Sequence, residues 1–279
     1  MRLLKEQKQT REKPCRQGIC KMANWHFWGE KEFSDVYENI YIRSVMEDWF
    51  NIVFEIVNEI NLQKSTKKQI LDIGCGEGHT TKQILDRIEG NYICDLLEPN
   101  ENALTSAEAF LTPENNVGEI YPRTLATFKT NKKYDIVFTS HTNYYWALNE
   151  KDYDTQLKKL TTMLNQRGKL MILTLPEESD HYNIMLRQAY PNFNHAQYII
   201  NFYKKLGFNV KIKKLNMKMY VGDILSTKNF FDLKIFYRFI HNTDSYPSDS
   251  ESKEFLEKIK KYQRNNYLDF KDYLIIVER

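Results

Sequence analysis

The chain predicts an α/β fold built on a doubly wound, mostly parallel sheet, and three observations carry that prediction. The apolar run Ile70-Leu71-Asp72-Ile73 passes straight into Gly74, Gly76 and Gly78 and then into a helical pattern. A second apolar run, Tyr92 to Leu97, closes on Glu98-Pro99-Asn100. A third, Tyr134-Asp135-Ile136-Val137-Phe138-Thr139-Ser140, is followed by a helical pattern and a further strand. Strands that alternate with helices pair in parallel and open ligand crevices at their carboxyl edge.

In chain order, residues 1–21 carry seven Lys or Arg against Glu6 and Glu12 and are expected to form a disordered basic leader, with one domain spanning 22–279. Trp25, His26, Phe27, Trp28, Phe33 and Tyr37 then crowd a polar stretch, and apolar residues recur at helical spacing from Val36 to Ile60. Residues 22–66 therefore predict a helical lid. Residues 67–221 predict the cofactor-binding core. Within it, Ile84, Leu85 and Ile88 share one face of a helix that follows the glycines, and Asp152 to Leu164 predicts a helix before a fifth strand at Gly168 to Leu173. The last two strands are expected at Phe208 to Val221 and Asp272 to Val277. Between them, residues 222–268 form an insertion too long for a hairpin, with helical patterns at Phe230 to Phe239 and Lys253 to Tyr262. We expect it to cap a substrate and exclude water, with 269–279 supplying the last strand.

Composition bounds the function. The 279 residues are 42% apolar and 28% charged, as in water-soluble globular chains. No apolar run approaches the roughly 20 residues needed to cross a bilayer, and no secretory signal is visible, so a cytoplasmic protein is expected. Cys15, Cys20, Cys75 and Cys94 form neither a C-x-x-C pair nor a zinc set, so reduced thiols and no metal are expected. The net charge of +3 is concentrated in the leader, which leaves the body slightly negative. Such a body is not built to neutralise a phosphate backbone, so the expected partner is a small molecule, with neither nucleic acid nor membrane, acting on a monomer.

The glycine spacing bears on the ligand. Glycine is required where backbone takes positive φ or lets a ligand approach without a Cβ, and a helix N-terminus follows at once. A dinucleotide fingerprint places its third glycine five positions after the first, whereas here it comes four after, with His79 in the fifth. A carboxylate at Glu98, twenty residues beyond Gly78, can accept two ribose hydroxyls. The D-x-G-x-G-x-G pattern resembles the first motif of class I S-adenosylmethionine-dependent methyltransferases, whose loop wraps the amino-acid end of the cofactor.

That resemblance implies a Rossmann-like, seven-stranded, mostly parallel sheet whose last strand is antiparallel, and S-adenosylmethionine as cofactor. It implies that Asp72, Gly74, Gly76 and Gly78 hold the methionine portion and that Glu98, with Pro99, takes the ribose. Asn100 would lie near the adenosine, and Ser140 and His141 by the reacting end. Over residues 33–279 the chain is further similar to the histamine N-methyltransferase family. This likeness is carried by Tyr144-Tyr145, the helical pair from Tyr182 to Gly207, the insertion, and Leu274-Ile275-Ile276-Val277-Glu278. In that family a glutamine contacts the amine three residues before the Tyr-Tyr pair, where His141 stands here. An asparagine does so just before the last strand, where this chain offers Asp269, Phe270 and Asp272.

Methyl transfer from a sulfonium needs alignment, a dry pocket and a neutral nucleophile. An imidazole, with its ordinary pKa near about 6.5, suits proton removal, which makes His141 the catalytic candidate. Tyr37, Tyr144, Tyr145 and Trp146 are candidates for an aromatic substrate wall. The segment Ser140-His141-Thr142-Asn143-Tyr144 lacks the Asn/Asp-Pro-Pro-aromatic pattern of base-methylating enzymes. The sequence thus points to methylation of a small molecule at an amine nitrogen, with an oxygen acceptor, or RNA gripped by the leader, as the alternatives.

Overall fold

The computed structural model describes residues 43–112, 116–146, 150–187, 195–226, 230–241 and 246–279. Its seven strands are β1 (Lys68–Ile73), β2 (Tyr92–Leu97), β3 (Val117–Tyr121), β4 (Tyr134–Ser140), β5 (Leu164–Thr174), β6 (Asn209–Tyr220) and β7 (Tyr267–Glu278), in the spatial order β3-β2-β1-β4-β5-β7-β6. Only β7 runs against the others, paired antiparallel to both β5 and β6. The chain builds outward from β1 through β2 to β3, then returns to the other side of β1 with β4. The crevice for a ligand therefore opens between the carboxyl ends of β1 and β4, the topological switch point.

The central strands are buried almost throughout, as expected where both sheet faces are covered. One face packs under α1 (Arg43–Asn61), α2 (His79–Leu85), α3 (Glu101–Leu111) and the helices of the insertion, α6 (Gly222–Ser226), α7 (Phe230–His241) and α8 (Asp249–Tyr262). The other packs under α4 (Glu150–Thr162) and α5 (His195–Lys205), through Tyr153, Leu157, Leu160, Ile199, Ile200 and Tyr203. Leu233, Phe236 and Ile240 of α7 join Phe255 and Ile259 of α8 in the first core, together with Tyr144, Tyr182 and Phe270. The insertion thus sits over the face that carries these aromatics.

Several boundaries differ from the sequence expectation. Strand β7 starts at Tyr267 rather than Asp272, because Leu268 and Phe270 are fully buried on the same face as Leu274 and Ile276 and extend the alternation backwards. Its first half overhangs β5, whose pairing ends at Thr174 opposite Tyr273. Side chains stand in for the missing strand: Ser179 Oγ accepts the Lys271 N–H at 3.1 Å and Asp180 Oδ2 accepts the Asp269 N–H at 2.8 Å. Helix α8 begins four residues before the apolar pattern, at a capping box in which Ser248 Oγ accepts the Glu251 N–H and Glu251 accepts the Ser248 N–H. The leader and lid residues 1–42, Tyr37 among them, lie outside the described residues.

Strand β3 was invisible to periodicity because Gly118 and Glu119 dilute a short, half-exposed edge. What anchors it is Asp95, buried on β2, whose carboxylate accepts the Glu119 N–H, the Lys132 ammonium and the Tyr134 hydroxyl, each at 2.8 Å. Burial first, and then this carboxylate, push the Tyr134 phenol far above its ordinary value, so it stays a donor. Asp95→Ala should therefore cost about 3 kcal/mol in urea unfolding, since three donors lose their acceptor, whereas Asp95→Asn should cost visibly less.

Candidate functional site

Four chain segments meet at the switch point. The first is the turn after β1, where Gly74, Gly76 and Gly78 have φ of 76°, 55° and 84°. At Gly74 a Cβ would collide with the Thr142 side chain from the turn after β4, so the two turns touch across the crevice. At Gly76 a Cβ would meet nothing within 4 Å, so the loop tip faces open space. The Gly74 N–H is tied to the end of β2 through Leu97 O at 2.6 Å.

The second segment carries Glu98, which reaches back to the glycine turn. Its Oε2 accepts the Gly76 N–H at 3.1 Å and its Oε1 accepts the Asn100 N–H at 2.9 Å. Burial raises its pKa against these two bonds, which pull it down. Asn100 caps α3, its Oδ1 accepting from the N–H groups of Asn102 and Ala103 at 3.0 and 3.1 Å, and Pro99 lies half-buried between them. Beneath the loop, Asp72 is buried and accepts the Thr81 hydroxyl at 2.6 Å. Burial pushes its carboxyl up to about 7, with the nearby Glu98 charge adding to the rise.

The third segment is the turn after β4. Ser140 ends the strand half-buried, and His141 follows in the left-handed region with φ 54°, its N–H still bonded to Leu173 O at 2.9 Å. A non-glycine residue in this conformation is uncommon and aims its side chain out of the strand's pleat. Tyr144 is buried, its phenol oxygen accepting the Leu175 N–H at 2.5 Å and the Thr174 hydroxyl at 3.2 Å, and lying 3.4 Å from His141 Nδ1. Burial, with Asp272 behind it, holds that phenol well above its ordinary pKa, hence neutral. Tyr145 is half-buried and edge-on to Tyr144, with centroids 6.1 Å apart.

The fourth segment is β7, which brings Asp272, fully buried, to 3.3 Å between its Oδ2 and His141 Nε2. Sequence reasoning offered Asp272 only as one of three residues near the strand's start. The signal that singles it out is the alternation of β7: Leu268, Phe270, Leu274 and Ile276 all lie in the first core, and position 272 shares their face. A carboxylate in a register of core residues is an inconsistency of the kind that marks functional positions. Thr142 and His195 were also missed. His195, on α5, packs edge-on against Tyr144 at 5.3 Å between centroids, and burial pushes its pKa down to about 3.

The proposed aromatic wall divides. Tyr144 and Tyr145 belong to the first core, whereas Trp146 stacks on Tyr153 at 6.1 Å and 30° and packs with the second, on the opposite side of the sheet. Cys75 is buried, which pushes its thiol far up and leaves it a packing residue. Among the described residues no group of three His, Cys, Asp or Glu could hold a metal ion, and no helix is long and apolar enough to cross a membrane.

Comparison with known proteins agrees with this geometry. Residues 71–170 match the family model of a methyltransferase domain. The chain is 27% identical over 155 residues to the ribosomal RNA small subunit methyltransferase C of Buchnera aphidicola, covering 50% of this chain and 47% of that one. It thus spans about half the length of the curated relative it matches. Among solved structures it resembles the YcgJ protein of Bacillus subtilis, with a TM-score of 0.56 at 14% identity over 81% of this chain and 97% of that one. It also resembles a SAM-dependent methyltransferase from Geobacter sulfurreducens in complex with S-adenosyl-L-homocysteine, with a TM-score of 0.53 at 14% identity over 90% and 98%. The magnesium protoporphyrin IX methyltransferase of Synechocystis with bound SAM gives a TM-score of 0.51 at 12% identity over 89% and 90%. At these identities the likeness is one of fold. The residues present fit S-adenosylmethionine: an open cradle at Gly76, free of any Cβ, beside a carboxylate able to take ribose hydroxyls.

Asp72 makes the site's stability depend on pH. Its folded pKa of about 7 lies above the ordinary 3.8, so the fold favours the protonated form. The resulting stabilisation is complete below about pH 4 and is lost as pH rises through 7, on the order of 4 kcal/mol in all. Without added ligand, the melting temperature should fall between about pH 4 and 7, and Asp72→Asn, which keeps an acceptor for Thr81, should flatten that fall.

Proposed function

We propose that the chain, whose residues 71–170 match a methyltransferase domain, is a class I S-adenosylmethionine-dependent methyltransferase that transfers a methyl group to a small-molecule acceptor, an amine nitrogen. The observation that carries this reading is His141: an imidazole at the carboxyl edge of β4, one residue from the Thr142 that packs on Gly74. When bound, S-adenosylmethionine supplies a methyl group already activated on a sulfonium, so what is left to the protein is binding, orientation, exclusion of water and the fate of one proton.

In this reading Gly74, Gly76 and Gly78 offer backbone N–H groups to the cofactor's methionine end, and Glu98 takes the ribose hydroxyls. Asp72 acts from below, by holding Thr81 and the base of the turn, and Asn100 by capping α3 and fixing the turn on which Glu98 stands. An amine arrives at neutral pH as an ammonium without a lone pair, and must lose a proton before it can attack. His141 is placed to accept it. Tyr145 offers a ring face for a cation, Tyr144 serves the packing behind it, and Trp146 packs with Tyr153 on the other face of the sheet. The insertion over this face supports closure over a small acceptor. The resemblance to the histamine N-methyltransferase family, in Tyr144-Tyr145 and in the insertion, supports an amine over a hydroxyl.

A second reading rests on the relative that acts on ribosomal RNA. It would use the basic residues 1–21 to grip phosphates, and would show a steep salt dependence. Incubation with labelled S-adenosylmethionine and a panel of amines, phenols and small-subunit ribosomal RNA separates the two. Label is expected in amines and unaffected by deleting residues 1–21. Label in RNA alone, lost on that deletion, replaces the first reading with the second.

The cofactor site has its own check. Glu98→Ala should weaken binding of S-adenosylhomocysteine by about 1–3 kcal/mol in a calorimetric titration, as for loss of a charge-assisted contact. Gly76→Val should abolish that binding in a protein that still shows a native circular dichroism spectrum, since φ of 55° disfavours a branched residue and its side chain would fill the open space left for the cofactor.

A further inference from the structure

Resting on the methyltransferase reading, we propose that Asp272 is the positioning residue of the proton acceptor: it holds His141 with its proton on Nε2 and leaves Nδ1 as the base for the acceptor nitrogen. The geometry assigns the two ring nitrogens different surroundings. Nε2 is buried, has no hydrogen-bond partner among the described residues, and faces Asp272 Oδ2 at 3.3 Å. Nδ1 has Tyr144 Oη at 3.4 Å; that phenol oxygen accepts from Leu175 and Thr174, so its own hydroxyl proton turns to Nδ1, in a bond long enough for an incoming ammonium to displace. The His141 side chain keeps 23% of its surface exposed while its Nε2 is covered, so what is exposed belongs to the rest of the ring.

Asp272 itself is an anomaly as a structural residue. Its side chain is wholly buried, and neither oxygen accepts a hydrogen bond among the described residues. A buried carboxylate in that condition is unfavourable unless a positive charge forms beside it, and the group in reach is the imidazole. Conversion of His141 to imidazolium would supply that charge, as a buried aspartate does for a histidine base in hydrolytic triads. The backbone is braced for the task. Asp269 and Lys271, which precede Asp272 on β7, are held by Asp180 and Ser179 where β5 no longer reaches, and His141 takes a left-handed φ of 54°. Among the described residues, Asp272 from β7 and Tyr144 from its own turn are titratable groups that face the imidazole, with a neutral His195 of α5 against Tyr144.

The proton balance is simple. The ammonium gives one proton to Nδ1, the freed lone pair forms the N–CH3 bond as the CH3–S bond breaks, and the sulfonium becomes a neutral thioether. The imidazolium then releases its proton to solvent. No oxidant, reductant or metal enters the sum.

The experiment compares wild type, Asp272→Asn, His141→Gln and the double variant, using the amine labelled in the panel above. S-adenosylhomocysteine binding and melting temperature serve as readouts independent of turnover. Asp272→Asn is expected to keep cofactor-product affinity within about twofold and to melt no lower than wild type, because it removes a buried charge. Its kcat should fall about 10²- to 10⁴-fold with little change in KM. The acid limb of its pH–rate profile should move to lower pH, and Asp272→Asn should add nothing in the His141→Gln background. Unchanged kcat, a loss uniform across pH, or a loss that tracks cofactor binding overturns the proposal and leaves the methyltransferase reading standing. Failure of the wild type to bind S-adenosylhomocysteine overturns that reading itself, and intact binding with no amine labelled overturns the amine assignment and the dyad together.

Discussion

The hydrogen bond from the Gly76 N–H to Glu98 is the contact on which the site depends. It joins the two turns that follow β1 and β2, and it does so at the side of the switch point where a parallel sheet leaves a crevice. Each partner is conditioned by the other. The turn can present its N–H groups only because three residues without a Cβ take positive φ, and the carboxylate can stay buried only because two N–H groups point at it. With Gly74 fixed from the far side by Thr142, the cradle is bounded by β1, β2 and β4 together.

Three buried aspartates show how the same side chain is put to different use. Asp95 accepts three hydrogen bonds and locks an edge strand to its neighbour. Asp72 accepts one, from Thr81, and burial moves its titration to about 7. Asp272 accepts none among the described residues, and faces the imidazole of His141 at 3.3 Å. As the number of donors falls, so does the structural justification for keeping a charge inside, and the position in the fold moves from the sheet's rim to its reactive edge.

Much of this was legible in the chain. The alternation of strands and helices, the glycine turn and the acidic end of β2 are local patterns, because a strand that runs into a turn carries its signature in consecutive residues. Strand β3 was not, since a half-exposed edge with Gly118 and Glu119 presents too few apolar positions to stand out. The start of β7 was misjudged because Asp269, Lys271 and Asp272 look like loop residues until their alternation with Leu268 and Phe270 is counted. The aromatic cluster after β4 gave its composition but not its directions. Tyr144 and Trp146 are two positions apart, and the turn between them sends their rings to opposite faces of the sheet. The pairing of His141 with Asp272 lies beyond any local pattern, being a contact between residues from strands that are not neighbours in sequence.

The placement of β7 between β5 and β6 has a consequence for how the molecule comes into being. Thr174 meets Tyr273 only after everything between them has been ordered or looped out, so this ladder closes against the largest entropy in the sheet. A nascent protein can organise β1 through β4, and with them the crevice between their turns, from nearby segments. The acid that answers His141 arrives with the slowest and most distant pairing. On the proposed reading, recognition of the cofactor and competence for chemistry would be acquired at different times, and a chain caught midway would hold its ligand without consuming it.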